Sequence, residues 1–186
     1  MEQLKMTWQN DGVKKQFPKL LDNMELVTFP QVENAEKEWT DIVSYGSLLP
    51  DERVDGVSYY NECMKGLPTY TDDMCYILKV NGVCAATVSV VCNYETKVGL
   101  MHMVGCKPEF RGLGIGGILS QLTEYVFKKE GMQTATLKTD DWRIPAIKTY
   151  LKIGYKPDLV SEPDYKERWD KIYQIINDKK IVENKQ

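Results

Sequence analysis

The stretch RGLGIGG, Arg111–Gly117, places four glycines within six positions after an arginine. It follows a run of strand-forming residues and precedes a run with helical spacing. A glycine loop between a strand and a helix leaves backbone N–H groups unpaired and adds the positive end of the helix dipole. Glycine also lets the backbone approach a phosphate closely. Because a tight turn alone needs only one or two glycines, the stretch predicts a site for a phosphate compound.

The same stretch also satisfies GxGxxG, the dinucleotide-binding fingerprint, through Gly112, Gly114 and Gly117. The context disfavours that interpretation, because the fingerprint belongs to a parallel βαβ unit and an antiparallel meander is expected to precede this loop. An acidic residue that binds ribose is expected about 20 residues after the glycines. Asp140 and Asp141 lie about 28 residues beyond Gly112. No GK[ST] segment indicates a P-loop.

Three strands are predicted to lead into the glycine loop. Asn81-Gly82 lies between two β-rich runs, Met74–Val80 and Val83–Cys92, and an Asn-Gly in that position is the strongest short-range signal for a hairpin. Val98–Cys106 follows as the third strand. Strands joined by such short turns pair antiparallel, so the loop is expected at the end of an antiparallel meander.

The remaining segments alternate between helix and strand patterns. Apolar residues recur at helical spacing from Ile115 to Val126, directly after the loop. Residues 177–186 are expected to be a frayed tail. Elsewhere the predicted strands are Met24–Phe29 and Gln133–Thr139, and the predicted helices are Glu33–Leu49, Ser58–Lys65, a helix after Asp141 that stops at Gly154, and Glu162–Ile176.

Two motifs together resemble the GNAT superfamily of N-acetyltransferases. PEFRGLGIGGIL is similar to motif A of that family, R/Q-x-x-G-x-G/A, through Arg111, Gly114 and Gly116. DDWRIPAIKTYLKIGYKP resembles its motif B, A-x-x-x-Y-x-K-x-G-F/Y. The matching motif B residues are Ala146, Tyr150, Lys152, Gly154 and Tyr155. The pair of motifs is more specific than either motif alone.

The resemblance implies an α/β (α+β) fold with a mixed, mostly antiparallel central sheet flanked by helices. It implies a single acetyltransferase domain over residues 1–186, with an acetyl-CoA-binding core over residues 98–157. In the family the pyrophosphate of acetyl-CoA rests on the glycine loop. Relatives bulge and splay the strand before the loop, so that its free amides contact pantetheine, and Gly105 is the expected bulge site.

Acetyl-CoA is therefore the expected cosubstrate, and no metal is expected. Arg143 departs from the family, because many relatives carry Asn at that position near the pantetheine arm. The cofactor-binding residues that the resemblance implies are Val104, Gly105, Cys106, Arg111, Gly112, Leu113, Gly114, Ile115, Gly116, Gly117 and Arg143.

Tyr150 matches the position where many relatives place a tyrosine that protonates the departing CoA sulfur. A phenol with a pKa near 10 stays protonated at pH 7 and can donate its proton. The alternative role for Tyr150 is an aromatic side chain on the buried face of its helix. Cys106 as an acetyl-cysteine nucleophile is disfavoured, because no activating cation or second histidine is evident beside it.

His102 is the single histidine of the chain and lies nine positions before Arg111. Some family members have a histidine at this spacing that relays the proton of the acceptor amine, and histidine is the side chain that titrates near neutral pH. Packing or surface exposure is the alternative for a strand histidine. A water chain to Glu109, Asp72 or Asp73 is another possible route for the proton.

The expected reaction is direct attack of a primary amine, of a small molecule or a peptide, on acetyl-CoA in a ternary complex. A nonenzymatic acyl-CoA-binding regulator is the alternative. Family members frame the acceptor site with segments that correspond here to residues 33–71 and 162–176. The acids of the preceding loops are expected either to attract a cationic amine or to form a solvated surface, and a homodimer is left open. These acids are Asp51, Glu52, Asp55, Asp72 and Asp73.

Composition restricts the class of protein. The chain has 186 residues, 42% of them hydrophobic and 27% charged, with a net charge of −3, which is typical of a soluble globular domain. Basic residues are interleaved with acidic ones, so no nucleic-acid partner is expected. No apolar run resembles a signal peptide or a membrane span, so a cytoplasmic protein without a membrane partner is expected. Five cysteines without a CxxC pair are expected to stay reduced.

Overall fold

The computed structural model describes residues 2–45 and 56–183, and it places seven strands of this part of the chain in one sheet. The strand order is β2-β3-β4-β5-β6-β1-β7. β5 and β6 are parallel, and the other neighbouring strands are antiparallel. The strands are β1 Leu4–Gln9, β2 Met24–Thr28, β3 Cys75–Val80, β4 Val83–Asn93, β5 Val98–Cys106, β6 Thr134–Thr139 and β7 Lys156–Pro157. The expected single domain with a mixed, mostly antiparallel sheet is confirmed.

Helices cover both faces of the sheet. A π-helical turn, Asn61–Lys65, continues directly from α2. Among the described residues, no helix is both long enough and apolar enough to cross a lipid bilayer. The helices are α1 Ala35–Ser44, α2 Gly56–Tyr60, α3 Ile115–Lys129, α4 Ile144–Lys152 and α5 Tyr165–Glu183.

The core consists of two clusters, one on each face of the sheet. Leu119 and Leu122 of α3 and Trp169 of α5 belong to the cluster on one face. Trp39 and Ile42 of α1 belong to the cluster on the other face. Full burial of each such side chain stabilises the fold by about 1.5–3 kcal/mol. β4 runs between the two clusters, which is why nine of its eleven residues, from Cys84 to Cys92, are buried.

The meander before the glycine loop forms as predicted. Asn81 and Gly82 join β3 to β4 with φ angles of 49° and 80°. Two successive positive φ values are the requirement of a type I′ turn, which explains the Asn-Gly pair. β5 then pairs antiparallel with β4 and ends at Cys106, the predicted end of the third strand.

A β-bulge interrupts the pairing of β5 with β4. Met103 and Val104 of β5 together face the single residue Val88 of β4. Met103 has a φ of 50°, an uncommon conformation for a residue with a side chain. The expected bulge is therefore present, but its position at Gly105 is wrong, because the strained backbone lies at Met103, two residues earlier.

Gly105 is required for a different reason, close packing. A Cβ atom built there would lie 3.1 Å from Ile42 Cγ2 and 3.4 Å from the carbonyl oxygen of Ile42, so glycine lets α1 approach the strand. Gly99 has the same role on the other face, where a Cβ would lie 2.4 Å from Phe127 Cε1. Both glycines of β5 thus allow a helix to pack against it.

β5 and β6 pair over only three residues and then separate. Val98–Leu100 pairs with Thr134–Thr136, while β5 continues to Cys106 without β6 beside it. Since α3 connects two parallel strands, the glycine loop does lie in a βαβ unit, and the sequence argument that it does not was wrong. The unit differs from a dinucleotide-binding one because its strands diverge directly below the loop.

Two parts of the chain differ from the prediction, and a third prediction lies partly outside the described residues. β1 was not predicted at all, although Leu4, Met6 and Trp8 alternate with polar residues and are all buried. α5 continues to Glu183, so residues 177–183, which were expected to be frayed, are helical. α1 spans Ala35–Ser44, and the predicted extension toward Leu49 lies outside the described residues beyond position 45.

Candidate functional site

Three cavities lie in a row along β5. The loop cavity, of about 660 Å³, is bounded by the glycine loop, Val104–Cys106 and the first turns of α4. The central cavity, of about 280 Å³, lies in the gap between β5 and β6 and is lined by Leu100–Val104. The distal cavity, of about 380 Å³, lies beyond Leu100, where β5 and β6 are still paired. Val104, Arg143 and Tyr150 line both the loop cavity and the central cavity.

The glycine loop has the backbone conformation of an anion site. Gly112 and Gly114 have φ angles of 82° and 77°, which residues with a side chain rarely adopt. Within the described part of the chain, the N–H groups of residues 112–116 donate no hydrogen bond. The next two backbone N–H groups, those of Gly117 and Ile118, both donate to the Gly114 carbonyl. These free amides lie at the positive end of α3.

Space is open where an anion would contact the loop. Cβ atoms built at Gly112, Gly114, Gly116 and Gly117 would meet no atom within 4 Å. These glycines are therefore not explained by internal packing, unlike Gly105. The loop combines free donors with empty space in front of them, which is the arrangement that a phosphate group requires.

Arg111 is exposed and lies along the edge of the loop cavity. Its Nη2 donates a hydrogen bond of 3.1 Å to the carbonyl of Tyr45, and its Nε donates one of 3.4 Å to the carbonyl of Cys106. The cation therefore lies at the C-terminal end of α1, where the helix dipole is negative. Arg111 fastens the end of α1 to the end of β5 as well as adding positive charge beside the loop.

The end of β5 forms one side of the loop cavity. Val104, Gly105 and Cys106 all line it, as expected for residues whose backbone contacts pantetheine. Their edge of the strand faces the gap that β6 leaves, so no neighbouring strand occupies it. Burial raises the pKa of the Cys106 thiol, although the nearby Arg111 lowers it in part. A thiol with a raised pKa is a poor nucleophile at neutral pH.

Arg143 and Trp142 line the loop cavity beside the N-terminus of α4. Arg143 Nε lies 2.8 Å from Asp140 Oδ2, and the guanidinium carbon lies 4.6 Å from the centre of the Trp142 ring. The ring of Trp142 is 63% exposed, which is unusual for so large an apolar group. Arg143 is thus positioned by a carboxylate and an indole together.

Tyr150 lies on α4 where the loop and central cavities meet. Burial raises the pKa of its phenol to about 12, and Arg143 lowers it in part. The group therefore keeps its proton throughout the neutral range. Tyr155 packs 6.3 Å from it, centre to centre, and the Tyr155 hydroxyl is buried without a hydrogen bond to another described residue.

His102 lines the central cavity from β5. Burial lowers its pKa, while a hydrogen bond to the backbone of Cys63, in the π-helical turn, acts in the opposite direction. Its Nε2 atom is buried and has no hydrogen-bond partner among the described residues. The imidazole is consequently neutral at pH 7 and has one nitrogen available to accept a proton. The structure brings His102 and Tyr150 to the same cavity.

Of the acids proposed to attract an amine, the two that the structure describes, Asp72 and Asp73, do not line these three cavities. Asp72 instead accepts a hydrogen bond of 2.8 Å from the buried hydroxyl of Tyr60, which lies 2.8 Å from the Tyr70 hydroxyl. Asp73 is exposed and lines none of the three, and neither does Glu109. The other predicted acids, Asp51, Glu52 and Asp55, lie outside the described residues.

One predicted cofactor residue lies outside the loop cavity, and several residues in the cavities were not predicted. Leu113 is 47% exposed and does not line the loop cavity, so a contact through its side chain is not supported. Trp142 lines the loop cavity but was not predicted as a site residue, although its place beside the predicted start of α4 could have suggested this role. Lys5 of β1 and Gln3, which directly precedes β1, line the central cavity, and no local pattern places that strand beside β6.

Solved structures with the same fold are N-acetyltransferases of low sequence identity. A GCN5-related N-acetyltransferase from Sphaerobacter thermophilus is 15% identical with a TM-score of 0.62, and the alignment covers 85% of this chain and 50% of that one. One from Kribbella flavida is 15% identical with a TM-score of 0.54, over 84% and 55%. This chain therefore spans about half the length of these two proteins.

A shorter protein matches over more of its own length. The ribosomal-protein-S18-alanine N-acetyltransferase of Escherichia coli is 16% identical with a TM-score of 0.56, over 72% of this chain and 77% of that one. A search of curated protein sequences gives no match. The family model described as acetyltransferase (GNAT) family matches residues 34–155, about two thirds of the chain. The chain therefore belongs to the GNAT acetyltransferase family.

Proposed function

We propose that the protein transfers an acetyl group from acetyl-CoA to a primary amine of a small molecule or peptide, by direct attack in a ternary complex. The observation that carries the proposal is the set of free amides at residues 112–116, which face a cavity that no side chain fills. The loop cavity continues through Val104 and Tyr150 into the central cavity, where a second substrate would meet the first.

The residues of the loop cavity fit acetyl-CoA. The amides of the glycine loop would hold its diphosphate, with Arg111 at the edge. The free edge of β5 at Val104–Cys106 would hold the pantetheine arm by backbone hydrogen bonds, and Arg143 would lie beside that arm. Acetyl-CoA supplies a thioester, whose acetyl carbonyl is open to attack by an amine. Backbone N–H groups aimed at such a carbonyl oxygen are a leading electrostatic contribution to acyl transfer.

His102 would supply the base. An amine attacks in its neutral form, so its proton must leave, and Nε2 of a neutral imidazole can accept it. Because burial lowers the pKa of His102, the ring is ready to accept a proton at pH 7. Tyr150 of α4 lines the same cavity.

Tyr150 would donate to the sulfur that departs. Its pKa of about 12 exceeds the roughly 8.5 of an ordinary thiol by about 3.5 units, so complete proton transfer would cost about 5 kcal/mol in the free protein. A hydrogen bond from the phenol to the developing thiolate has no such cost and is worth about 1.5–3 kcal/mol. Stabilisation of the thiolate by a hydrogen bond is therefore the main role that we assign to Tyr150.

Binding and turnover are tested separately. Thermal unfolding with acetyl-CoA, CoA and NADH separates the proposal from dinucleotide binding, since a ligand at 100 times its dissociation constant adds about 2.7 kcal/mol. We expect stabilisation by both CoA compounds and none by NADH. Stabilisation by NADH alone would overturn the proposal. Asp140 and Asp141, the acids nearest to the position expected for a ribose-binding residue, are already engaged, Asp140 by Arg143 and Asp141 by Arg168.

CoA release during an amine screen then separates an enzyme from a regulator. Tyr150→Phe should lower kcat about 10- to 150-fold, the value of one hydrogen bond to a charged group, without changing acetyl-CoA affinity. Tyr155→Phe is the matched control, because the hydroxyl that it removes is buried and has no partner among the described residues. Equal, substantial rates for Tyr150→Phe and wild type would remove Tyr150 from the mechanism. Absence of release with every amine would favour the regulator.

A further inference from the structure

The central cavity is lined by positive charge. Lys5, Lys138 and Arg143 line it, and none of its described lining residues is Asp or Glu. Lys5 of β1 and Lys138 of β6 lie directly opposite each other in the sheet. Like charges at directly opposed positions destabilise a sheet. Two lysines from neighbouring strands therefore line the cavity that His102 and Tyr150 also line.

Lys5 is the most weakly paired cation of this group: it contributes to the lowered pKa of Asp158, but Asp158 does not line the cavity. Lys138 Nζ lies 3.0 Å from Glu2 Oε1, and Arg143 is paired with Asp140. Lys5 makes no ion pair within 4 Å to any described residue. Its side chain is half-buried, so its charge is screened less by water than that of an exposed lysine.

The distal cavity is apolar and uncharged. It adjoins the central cavity, since Leu100 and Thr136 line both. Its polar residues are threonines and one asparagine, and no charged residue of the described chain lines it. The apolar residues that line it are Leu67, Pro68, Val91, Val98 and Leu100. A ligand that extends from the central cavity past Leu100 would thus place an apolar group there.

We propose that the acceptor is an α-amino acid with an apolar side chain, an inference that rests on the proposed function. Its carboxylate would pair with Lys5, its amine would lie between His102 and Tyr150, and its side chain would enter the distal cavity past Leu100. Such a molecule joins a carboxylate, an amine and an apolar side chain at one carbon. The two cavities supply a matching environment for each of these groups: a cation, a proton acceptor with a hydrogen-bond donor, and an apolar wall.

The same cations act on the acceptor amine. A nearby positive charge favours the neutral form of an amine, which is the form that attacks. A polyamine is disfavoured, because neither cavity has a carboxylate among its described lining residues to receive a second ammonium group. Amines with a single charge and an attached carboxylate are the class that this lining selects.

CoA release is measured with four acceptors: L-phenylalanine, glycine, phenethylamine and spermidine. Phenethylamine lacks the carboxylate of phenylalanine, and glycine lacks the side chain. We expect kcat/KM for phenylalanine to exceed each of the others at least tenfold. Preference for phenethylamine or spermidine, or equal rates for glycine and phenylalanine, would overturn the inference while leaving acetyl transfer intact.

Two variants assign the preference to the cavities. Lys5→Gln should raise KM for phenylalanine about tenfold and change the kinetics of phenethylamine far less, since only phenylalanine loses a partner for its carboxylate, whereas Lys166→Gln, on the exposed surface of α5, should change neither. Val98→Asp places a charge in the distal cavity at a partly exposed position, and it should lower kcat/KM for phenylalanine but not for glycine. An unchanged preference for phenylalanine in both Lys5→Gln and Val98→Asp would overturn the assignment.

A calorimetric titration measures amino acid binding without turnover, so it tests the acceptor site independently of acetyl transfer. L-Phenylalanine is added to the protein alone and to its complex with CoA, with wild type and Lys5→Gln. Binding that weakens in Lys5→Gln supports the acceptor site even if no CoA is released, in which case only the proposed reaction fails. Failure of phenylalanine to bind in either form, together with CoA release on another amine, would refute the amino acid site.

Discussion

A side chain at Gly116 is expected to separate cofactor binding from folding. Gly116 lies in the first turn of α3, and a Cβ atom there would meet no atom within 4 Å. Alanine removes the backbone entropy cost of glycine in a helix, so Gly116→Ala should raise the free energy of unfolding by about 0.5–1 kcal/mol. Aspartate at the same position would add a carboxylate beside the loop cavity, which Gly116 lines.

The loss of affinity follows from the free amides of the loop. One hydrogen bond to a charged group is worth about 1.5–3 kcal/mol, which corresponds to about a 10- to 150-fold rise in Kd at 1.4 kcal/mol per factor of ten. Gly116→Asp should therefore bind acetyl-CoA at least tenfold more weakly, because its carboxylate repels the diphosphate. Gly116→Ala should keep a Kd close to that of wild type, because its methyl group meets open space and motif A accepts alanine at this position.

Isothermal titration with acetyl-CoA and chemical unfolding of each variant provide the two measurements. Gln121→Glu is the control, because it adds a negative charge to an exposed position of the same helix that does not line the loop cavity. Its affinity should match that of wild type. If Gly116→Asp folds and binds acetyl-CoA with the wild-type Kd, the diphosphate does not lie on this loop and the cofactor assignment is wrong.

Three further predictions concern the pH profile, a fluorescence signal and packing. Burial lowers the pKa of His102, so protonation of this histidine should add to the fall of kcat/KM below pH 6.5 that protonation of the acceptor amine causes, and His102→Gln should remove the added part. Tyr150 has a pKa of about 12 and should cause no loss of activity below about pH 11. Trp142 is 63% exposed, whereas the other three tryptophans are at most 3% exposed, so acetyl-CoA should change tryptophan fluorescence in wild type but not in Trp142→Phe. Gly99→Ala should lower the free energy of unfolding by about 1–3 kcal/mol, because the new Cβ would lie 2.4 Å from Phe127 Cε1. This loss corresponds to a fall in Tm of about 2–12 °C, and a melting curve that matches wild type would contradict this packing.

Local sequence patterns were sufficient for the elements that adjoin the loop. The Asn81-Gly82 turn, the strand Val98–Cys106 and the helix after the glycines form where the patterns predict them. Each depends on neighbours within a few residues, such as the two positive φ angles that Asn-Gly supplies. The loop itself was identified because no packing need explains four glycines together.

Long-range geometry could not be predicted in the same way. The alternation of apolar and polar residues indicates that β1 is a strand, but it does not indicate that β6 is its neighbour. The two strands are far apart in the sequence: the hydrogen bond from Gln3 to Asp140, for example, joins residues 137 positions apart. The bulge was assigned to Gly105 because glycine tolerates strain, whereas the positive φ lies at Met103. A residue held in an uncommon conformation by its surroundings leaves no local mark in the sequence.

The place of β1 between β6 and β7 has a consequence for synthesis on the ribosome. β1 is synthesised before the other six strands, but the two strands that flank it, β6 and β7, are synthesised after all the others. A nascent chain therefore cannot complete this sheet until β7 has emerged from the ribosome. Such late closure over a long loop is slow, and chaperones that hold the nascent chain should associate with it until β7 is released.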